Sequence, residues 1–294
     1  IGYTKHLFTL CEYSSDFSEC GISDFEPNLD NVPKMNIGTN HVYKGQFVVD
    51  DKAFPWVVQL LVGTTFCTGT IIGPRHFLTA KHCIHHKKNS KDQIVIGYGT
   101  ANSTNLQQLR DVVSVKLHPK GNEAAAQIKR HKHQQEQLNA YDLAIIEVKH
   151  PITFTENTRP ICLIEFGSKD LSQFIVAGWG YTQPWCQKNP TPKNSDQLMY
   201  GKMRIGSPEN CQTSVKSQSP SLAEYICVEP EPSIIEKGDS GGPLMGKIGK
   251  TNGWVQVGVA SITTCYDSDP ALTKGLTSKY APIDCAFVEN ATNG

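Results

Sequence analysis

From residue 54 onward the chain falls into short apolar runs, at 54–62, 69–73, 77–80, 93–96, 111–117, 143–148, 174–178 and 254–260. They are rich in β-branched residues, which suit a pleated surface, and are bounded by Gly, Pro and Asn, which suit turns. Many short strands separated by turn signals predict an all-β chain built as barrels or sandwiches. Two stretches differ. Residues 1–41 have little periodicity, several Pro, Asn and Asp residues and two cysteines, and predict an irregular leader rather than a domain. Residues 123–138 are good helix formers with almost no apolar face, and predict a solvated helical insertion in a loop.

Composition narrows the class. The chain has 294 residues, 38% of them hydrophobic and 19% charged, which is enough apolar material for a buried core and argues against global disorder. Lys and Arg together number 28 and balance 28 Asp and Glu, so nothing suggests an electrostatic nucleic-acid binder. No apolar run approaches the length of a membrane span. The sequence begins with Ile1 and no signal-type apolar core follows, which reads as a product whose targeting segment is gone. Ten dispersed cysteines with no C-x-x-C pair fit a secreted, disulfide-bonded protein better than a zinc or thioredoxin site. Two sequons, at Asn102 and Asn290, fit glycosylation on a secretory route. His131 and His133 offer metal-ligand atoms, but residues at i and i+2 do not share a helix face, so the insertion reads as a charged, solvated surface. No cofactor and no metal are expected.

The segment Gly238-Asp239-Ser240-Gly241-Gly242-Pro243 carries the candidate chemistry. A serine among glycines can sit on a turn that pushes its hydroxyl forward while backbone N–H groups converge on one point, as attack on a carbonyl requires. A serine hydroxyl is a weak nucleophile until a base takes its proton, and the base needs a third group to orient it. His82 stands at the end of the apolar run 77–80, and Asp142 at the start of the run 143–148. A carboxylate at the lip of a core strand is costly without partners. Each residue alone reads as structural; the order His, Asp, Ser, each at a strand edge, points to nucleophilic catalysis.

With those residues in view, Thr79-Ala80-Lys81-His82-Cys83, Asp142-Leu143-Ala144-Ile145-Ile146 and the Gly238–Pro243 segment resemble the three signature segments of the chymotrypsin-like serine proteases. Phe54-Pro55-Trp56, Ala177-Gly178-Trp179-Gly180, Gly258-Val259-Ala260-Ser261 and residues 275–279 resemble further segments of that family. The resemblance spans roughly residues 42–290. It implies two antiparallel six-stranded β-barrels with a short C-terminal helix, the barrels meeting near residue 160 and residues 1–41 forming a pro-segment. It implies a secreted serine endopeptidase acting on protein or peptide substrates through an acyl-enzyme. Ser240 would be the nucleophile, His82 the base and Asp142 its orienting group. The N–H groups of Gly238 and Ser240 would bind the oxyanion. Ser261 would support Asp142 and pair with substrate, and Asp239 would pair with a freed N-terminus in the active form.

The same resemblance implies disulfides Cys67–Cys83 and Cys211–Cys227, and a tether from Cys162 to the leader, with Cys20 as its candidate partner. Cys186 with Cys265, and Cys11 with Cys285, are the remaining pairings, and sequence leaves their connectivity open. Three departures qualify the resemblance. The nearest match to an activation site is Val42, preceded by His41 rather than Arg or Lys. His82 and Asp142 are 60 residues apart, a long separation whose surplus is the insertion at 123–138, which would restrict the cleft or bind an inhibitor or regulator. Ile234 and Ile235 fall at the base of the specificity pocket, and Thr263 falls where a Gly would open it. With no carboxylate at that base, Arg or Lys at P1 is not expected, and medium or small aliphatic residues are favoured. Should the segment after Cys227 shift, Glu229, Glu231 or Glu236 would enter the pocket. The competing function is a catalytically silent, protease-like binding protein.

Overall fold

The computed structural model describes residues 11, 20–27, 45–85, 90–120, 141–182, 193–207, 225–231, 233–249, 253–263 and 277–293. The chain forms β1 (Gln46–Phe47), β2 (Val57–Val62), β3 (Thr65–Ile71) and β4 (His76–Thr79), then a one-turn helix α1 (Lys81–Ile84). There follow β5 (Ile94–Tyr98), β6 (Gln107–Leu109), β7 (Val112–Leu117) and β8 (Ala144–Val148). Then come β9 (Cys162–Leu163), β10 (Leu171–Gly178), β11 (Met199–Ile205), β12 (Ile226–Pro230), β13 (Pro243–Ile248), β14 (Trp254–Thr263) and β15 (Ser278–Pro282), before the C-terminal helix α2 (Cys285–Thr292). The all-β expectation holds, with strands where the apolar runs predicted them. The first run starts later than expected: residues 54–57 turn, with Val57 N–H donating to Phe54 O at 3.0 Å. Pro55 has no N–H to give a ladder there.

Two sheets divide the molecule. The second contains a closed six-stranded ring: β11, β10, β13, β14, β15 and β12 pair in that order, and β12 pairs back onto β11. β1 adds outside β11, and β9 lies parallel to β14. The first sheet runs β6-β5-β2-β3-β4-β8-β7 and stays open among the described residues, so seven strands in a curled half-barrel stand where a closed six-stranded barrel was expected. Its free ends are β6, three residues long and partly exposed, and β7, whose outer face is partly solvated. β6 is too short and polar to invite further pairing.

The two sheets share one core. Trp56, Leu60, Ile71, Leu78 and Ile146 of the first pack in the same buried cluster as Trp179, Met245, Trp254 and Val259 of the second. Buried polar bonds stitch the contact: Thr70 Oγ1 donates to Gln256 Oε1 at 2.8 Å, and Trp56 Nε1 donates to Met245 Sδ at 3.0 Å. A buried polar group left unpaired would cost about 1–3 kcal/mol, so these bonds also fix how the sheets meet. Helix α2 turns back onto β8 of the first sheet, burying Phe287 and Val288. Asp284 caps it, accepting from Phe287 N–H at 3.0 Å.

Residues 11 and 20–27 form no helix or named strand and are firmly docked. Gly21 N–H donates to Pro160 O at 2.9 Å, and Trp254 N–H donates to Gly21 O at 2.8 Å. Phe25 meets Phe54 and Tyr200 edge-on, and Glu26 pairs with Lys247. Cys20 is bonded to Cys162, Cys11 to Cys285 and Cys67 to Cys83. Cys227 is also disulfide-bonded; its expected partner Cys211, together with Cys186 and Cys265, lies outside the described residues. The leader is therefore held to both the second sheet and the C-terminal helix. A single cut between residues 28 and 44 should leave one band on a non-reducing gel and two on a reducing gel; two bands without reductant would contradict the double tether.

Candidate active site

His82 lies on α1, immediately after the buried end of β4. Asp142 lies immediately before β8, the strand that pairs with β4. That pairing brings two residues 60 apart in sequence into contact. Asp142 is 4% exposed, and three donors cover its carboxylate. His82 N–H donates to Oδ1 at 2.8 Å, His82 Nδ1 meets Oδ2 at 2.6 Å, and Ser261 Oγ donates to Oδ2 at 2.6 Å. Ser261 comes from β14, so both sheets serve this one carboxylate. Burial pushes the Asp142 pKa up, but the imidazole's attraction and these bonds outweigh it and hold it below the ordinary value. For His82, burial lowers the pKa, and the attraction and hydrogen bond of Asp142 more than reverse that, leaving it raised above 6.5.

Ser240 sits on the tight turn that leads into β13. The turn is gripped from both sheets: Thr68 N–H donates to Ser240 O at 2.8 Å, Thr68 Oγ1 donates to Gly238 O at 2.8 Å, and Gly241 N–H donates to Ala260 O at 2.8 Å. Gly241 has φ +85, and a Cβ there would lie 2.2 Å from Thr79 Oγ1 and 2.3 Å from Thr68 O, so only glycine fits. The N–H groups of Gly238 and Ser240 make no hydrogen bond among the described residues. The main chain of Ser240 lies against the disulfide beside His82, with Cys83 Sγ 3.7 Å from Ser240 O. No hydrogen bond joins the Ser240 hydroxyl to His82; His82 Nε2 lies 3.8 Å from Cys83 Sγ. The structure thus brings His82, Asp142 and Ser261 into one hydrogen-bonded chain, with Ser240 alongside.

Asp239 is a second buried carboxylate, 2% exposed. It accepts from Gly180 N–H at 2.7 Å and from Glu236 N–H at 2.9 Å, with no ion pair among the described residues. Burial dominates the two backbone bonds and raises its pKa to about 7. Val42, the candidate activation residue, lies outside the described residues, as do residues 123–138. Of the candidate pocket residues, Ile234 and Ile235 are buried, and Ile235 packs in the core of the closed barrel with Met199 and Leu244. Thr263 is half-buried and accepts from Ser278 Oγ at 3.5 Å. Glu236 is buried in the same turn as Asp239, and Glu229, also buried, pairs with the exposed Arg204. Asn102 Oδ1 accepts from Thr104 N–H and Oγ1, and Asn290 is exposed on α2. Cys67, His82 and Cys83 offer donor atoms within 4.8 Å of one another, but the two sulfurs bond each other, which leaves only the imidazole.

A model of the trypsin family matches residues 43–279. The chain belongs to the trypsin family. It is 26% identical over 251 residues to a venom serine protease of Polistes dominula, covering 82% of each chain. It is also 26% identical to coagulation factor XI of Bos taurus and to mannan-binding lectin serine protease 1 of Rattus norvegicus. It spans only 35% and 29% of those two relatives, over 79% and 70% of its own length. The mouse serine protease neuropsin shares the fold, with a TM-score of 0.61 at 20% identity over 85% of this chain and 97% of the other. No described helix of this trypsin-family chain is long and apolar enough to cross a membrane.

Sequence reasoning missed Thr68 and Thr79 as clamps of the serine turn, Thr79 Oγ1 donating to Thr68 O at 2.8 Å. Their signal was a polar side chain fully buried in an apolar strand. The Asp239 environment has a measurable consequence. Its folded pKa lies above its unfolded one, so between about pH 4 and 7 the folded state binds more protons and stability falls as pH rises. The loss by pH 8 is on the order of 4 kcal/mol. Melting of the uncut protein should fall between pH 5 and pH 8, and Asp239→Asn should shrink that difference; an unchanged difference would refute the assignment.

Proposed function

We propose that this chain is a secreted serine endopeptidase, selective rather than digestive. The observation that carries the reading is the buried Asp142 carboxylate bonded to both nitrogens that His82 can direct toward it, its N–H and Nδ1, beside Ser240. With Nδ1 held by Asp142, the His82 Nε2 lone pair is left to take the Ser240 proton as Oγ attacks the scissile carbonyl. The unpaired N–H groups of Gly238 and Ser240 suit the resulting oxyanion. His82 then gives its proton to the leaving amine, and the acyl-enzyme remains. Water, deprotonated by His82, attacks the ester; the tetrahedral intermediate collapses, the acid product leaves, and Oγ takes its proton back. The raised His82 pKa suits a base whose cation is stabilised as it forms.

Asp239, buried with no cation among the described residues, is suited to receive the new α-amino group that a cut before Val42 would supply. Such a pair would ionise Asp239 and reorder its turn, on which Gly238 and Ser240 lie. The missing Ser240–His82 hydrogen bond is consistent with an uncut form. Secretion is supported by the disulfides and by relatives whose names come from venom and coagulation. Buried apolar residues at 234 and 235 support a P1 other than Arg or Lys. The insertion at 123–138, bordering the cleft in sequence order, is the candidate for selectivity and for an inhibitor or regulator. Asn102 and Asn290 are the candidate glycan sites.

A second reading, a silent homologue acting by binding, is favoured by the unbonded Ser240 hydroxyl. A fluorophosphonate probe separates the two. After cleavage near residue 41, the wild type should label and Ser240→Ala should not; an unlabelled wild type favours the silent homologue. With peptide substrates, kcat/KM should rise through a pKa above 6.5, as His82 must be neutral to act as base. Asp142→Asn should cut kcat by about 10⁴-fold and leave binding intact. A flat profile from pH 5 to 8 would count against His82 as the base.

A further inference from the structure

Lys81 precedes the candidate base and is buried, at 9% exposure. A buried ammonium is expensive unless hydrogen bonds satisfy it, and an apolar side chain of the same length would fill the space more cheaply. What its N–H groups do is therefore the question. β8 lies between β4 and β7 in the first sheet, and all three strands end together at the candidate site. Thr79 and Leu117 both pair with Ala144, the first residue of β8. Beyond that pairing, Lys81 follows β4, His118 follows β7, and Asp142 and Leu143 precede β8.

Three bonds close a ring around that end. Lys81 N–H donates to Asp142 O at 3.2 Å, and His118 N–H donates to Leu143 O at 2.9 Å. Lys81 Nζ then reaches over the end of β8 and donates to His118 O at 3.1 Å. The acceptor is itself fixed. His118 is 2% exposed, its Nε2 meets Asp284 Oδ2 at 3.0 Å, and its ring stacks on Tyr141 at 4.8 Å. Asp284 caps α2, and Tyr141 adjoins Asp142. Asp142 and Leu143 are thus hydrogen-bonded one to each side, and the Lys81 side chain joins the two sides.

We propose that Lys81 is a positioning residue: by tying His118 to the α1 turn across the end of β8, it holds the Asp142 main chain where its carboxylate meets His82. This rests on the roles proposed above for His82 and Asp142. Without the link the two backbone bonds remain but His118 is no longer tied to the α1 turn, and the 2.6 Å contact of Asp142 with His82 lengthens. Burial would then act on His82 with less opposition, and its pKa would fall.

The test replaces Lys81 with Met, of similar length and without donors, in the full chain. The His82 ring is titrated by NMR, and kcat and KM are measured after cleavage near residue 41. The expected result is a His82 pKa lowered by about half a unit or more, with kcat down about tenfold or more at little change in KM. Removing a nearby positive charge would, by direct electrostatics alone, raise the His82 pKa; a rise would overturn positioning in favour of a charge effect. A lower melting temperature with the His82 pKa unchanged would reduce Lys81 to a structural residue. Should Lys81→Met fail to fold, Lys81→Leu, also without donors, is read the same way. The titration requires no turnover. An inactive wild type would defeat the proposed function, whereas the His82 pKa alone decides the role of Lys81.

Discussion

The buried Asp142 carboxylate is the constraint around which the molecule is arranged. A charge out of water is tolerated only when donors surround it, and here the donors come from α1 at the end of β4 and from β14 in the other sheet. Each must arrive at the right place for the others to bond. The contact between sheets, with Thr70 on Gln256 and Trp56 on Met245, sets the separation that lets Ser261 reach across. The cleft's chemistry and the packing of the sheets are thus one problem with one solution.

Asp239 shows what the same burial does without such a partner. Both carboxylates are almost fully buried and both accept backbone N–H bonds, yet one is held below its usual pKa and the other is raised to about 7. Among the described residues the difference is an imidazole beside Asp142 and no cation paired with Asp239. The Asp239 carboxyl lies inside the same turn that carries Ser240. The N-terminal residues are tied to both the second sheet and the helix α2, through Cys20–Cys162 and Cys11–Cys285.

Much of this was legible before any fold was known. The apolar runs marked the strands, and the residue types at 82, 142 and 238–243, each beside a run, marked residues that the fold gathers in one place. Other features were not. Residues 54–62 read as one strand, but Pro55 delays pairing until Val57. The first sheet read as a barrel, yet β6 and β7 never meet among the described residues. Thr68 looked like an ordinary strand residue, and Thr79 and Lys81 were legible only as part of a motif. Their importance lies in whom they bond, and their partners are distant in the chain.

Strand-forming stretches, secretory-type cysteine usage and the types of reactive side chain are local properties, written in composition and spacing. The family followed from short motifs, since a turn that must expose a hydroxyl between two N–H groups admits few residues. Which sheet closes, which carboxylate is ionised and what a buried lysine holds depend on distances between segments far apart in the chain. Side-chain chemistry specifies what each group is able to bond. Packing of the two sheets selects which partner lies within reach, and the balance of burial against hydrogen bonding at that spot then sets its charge.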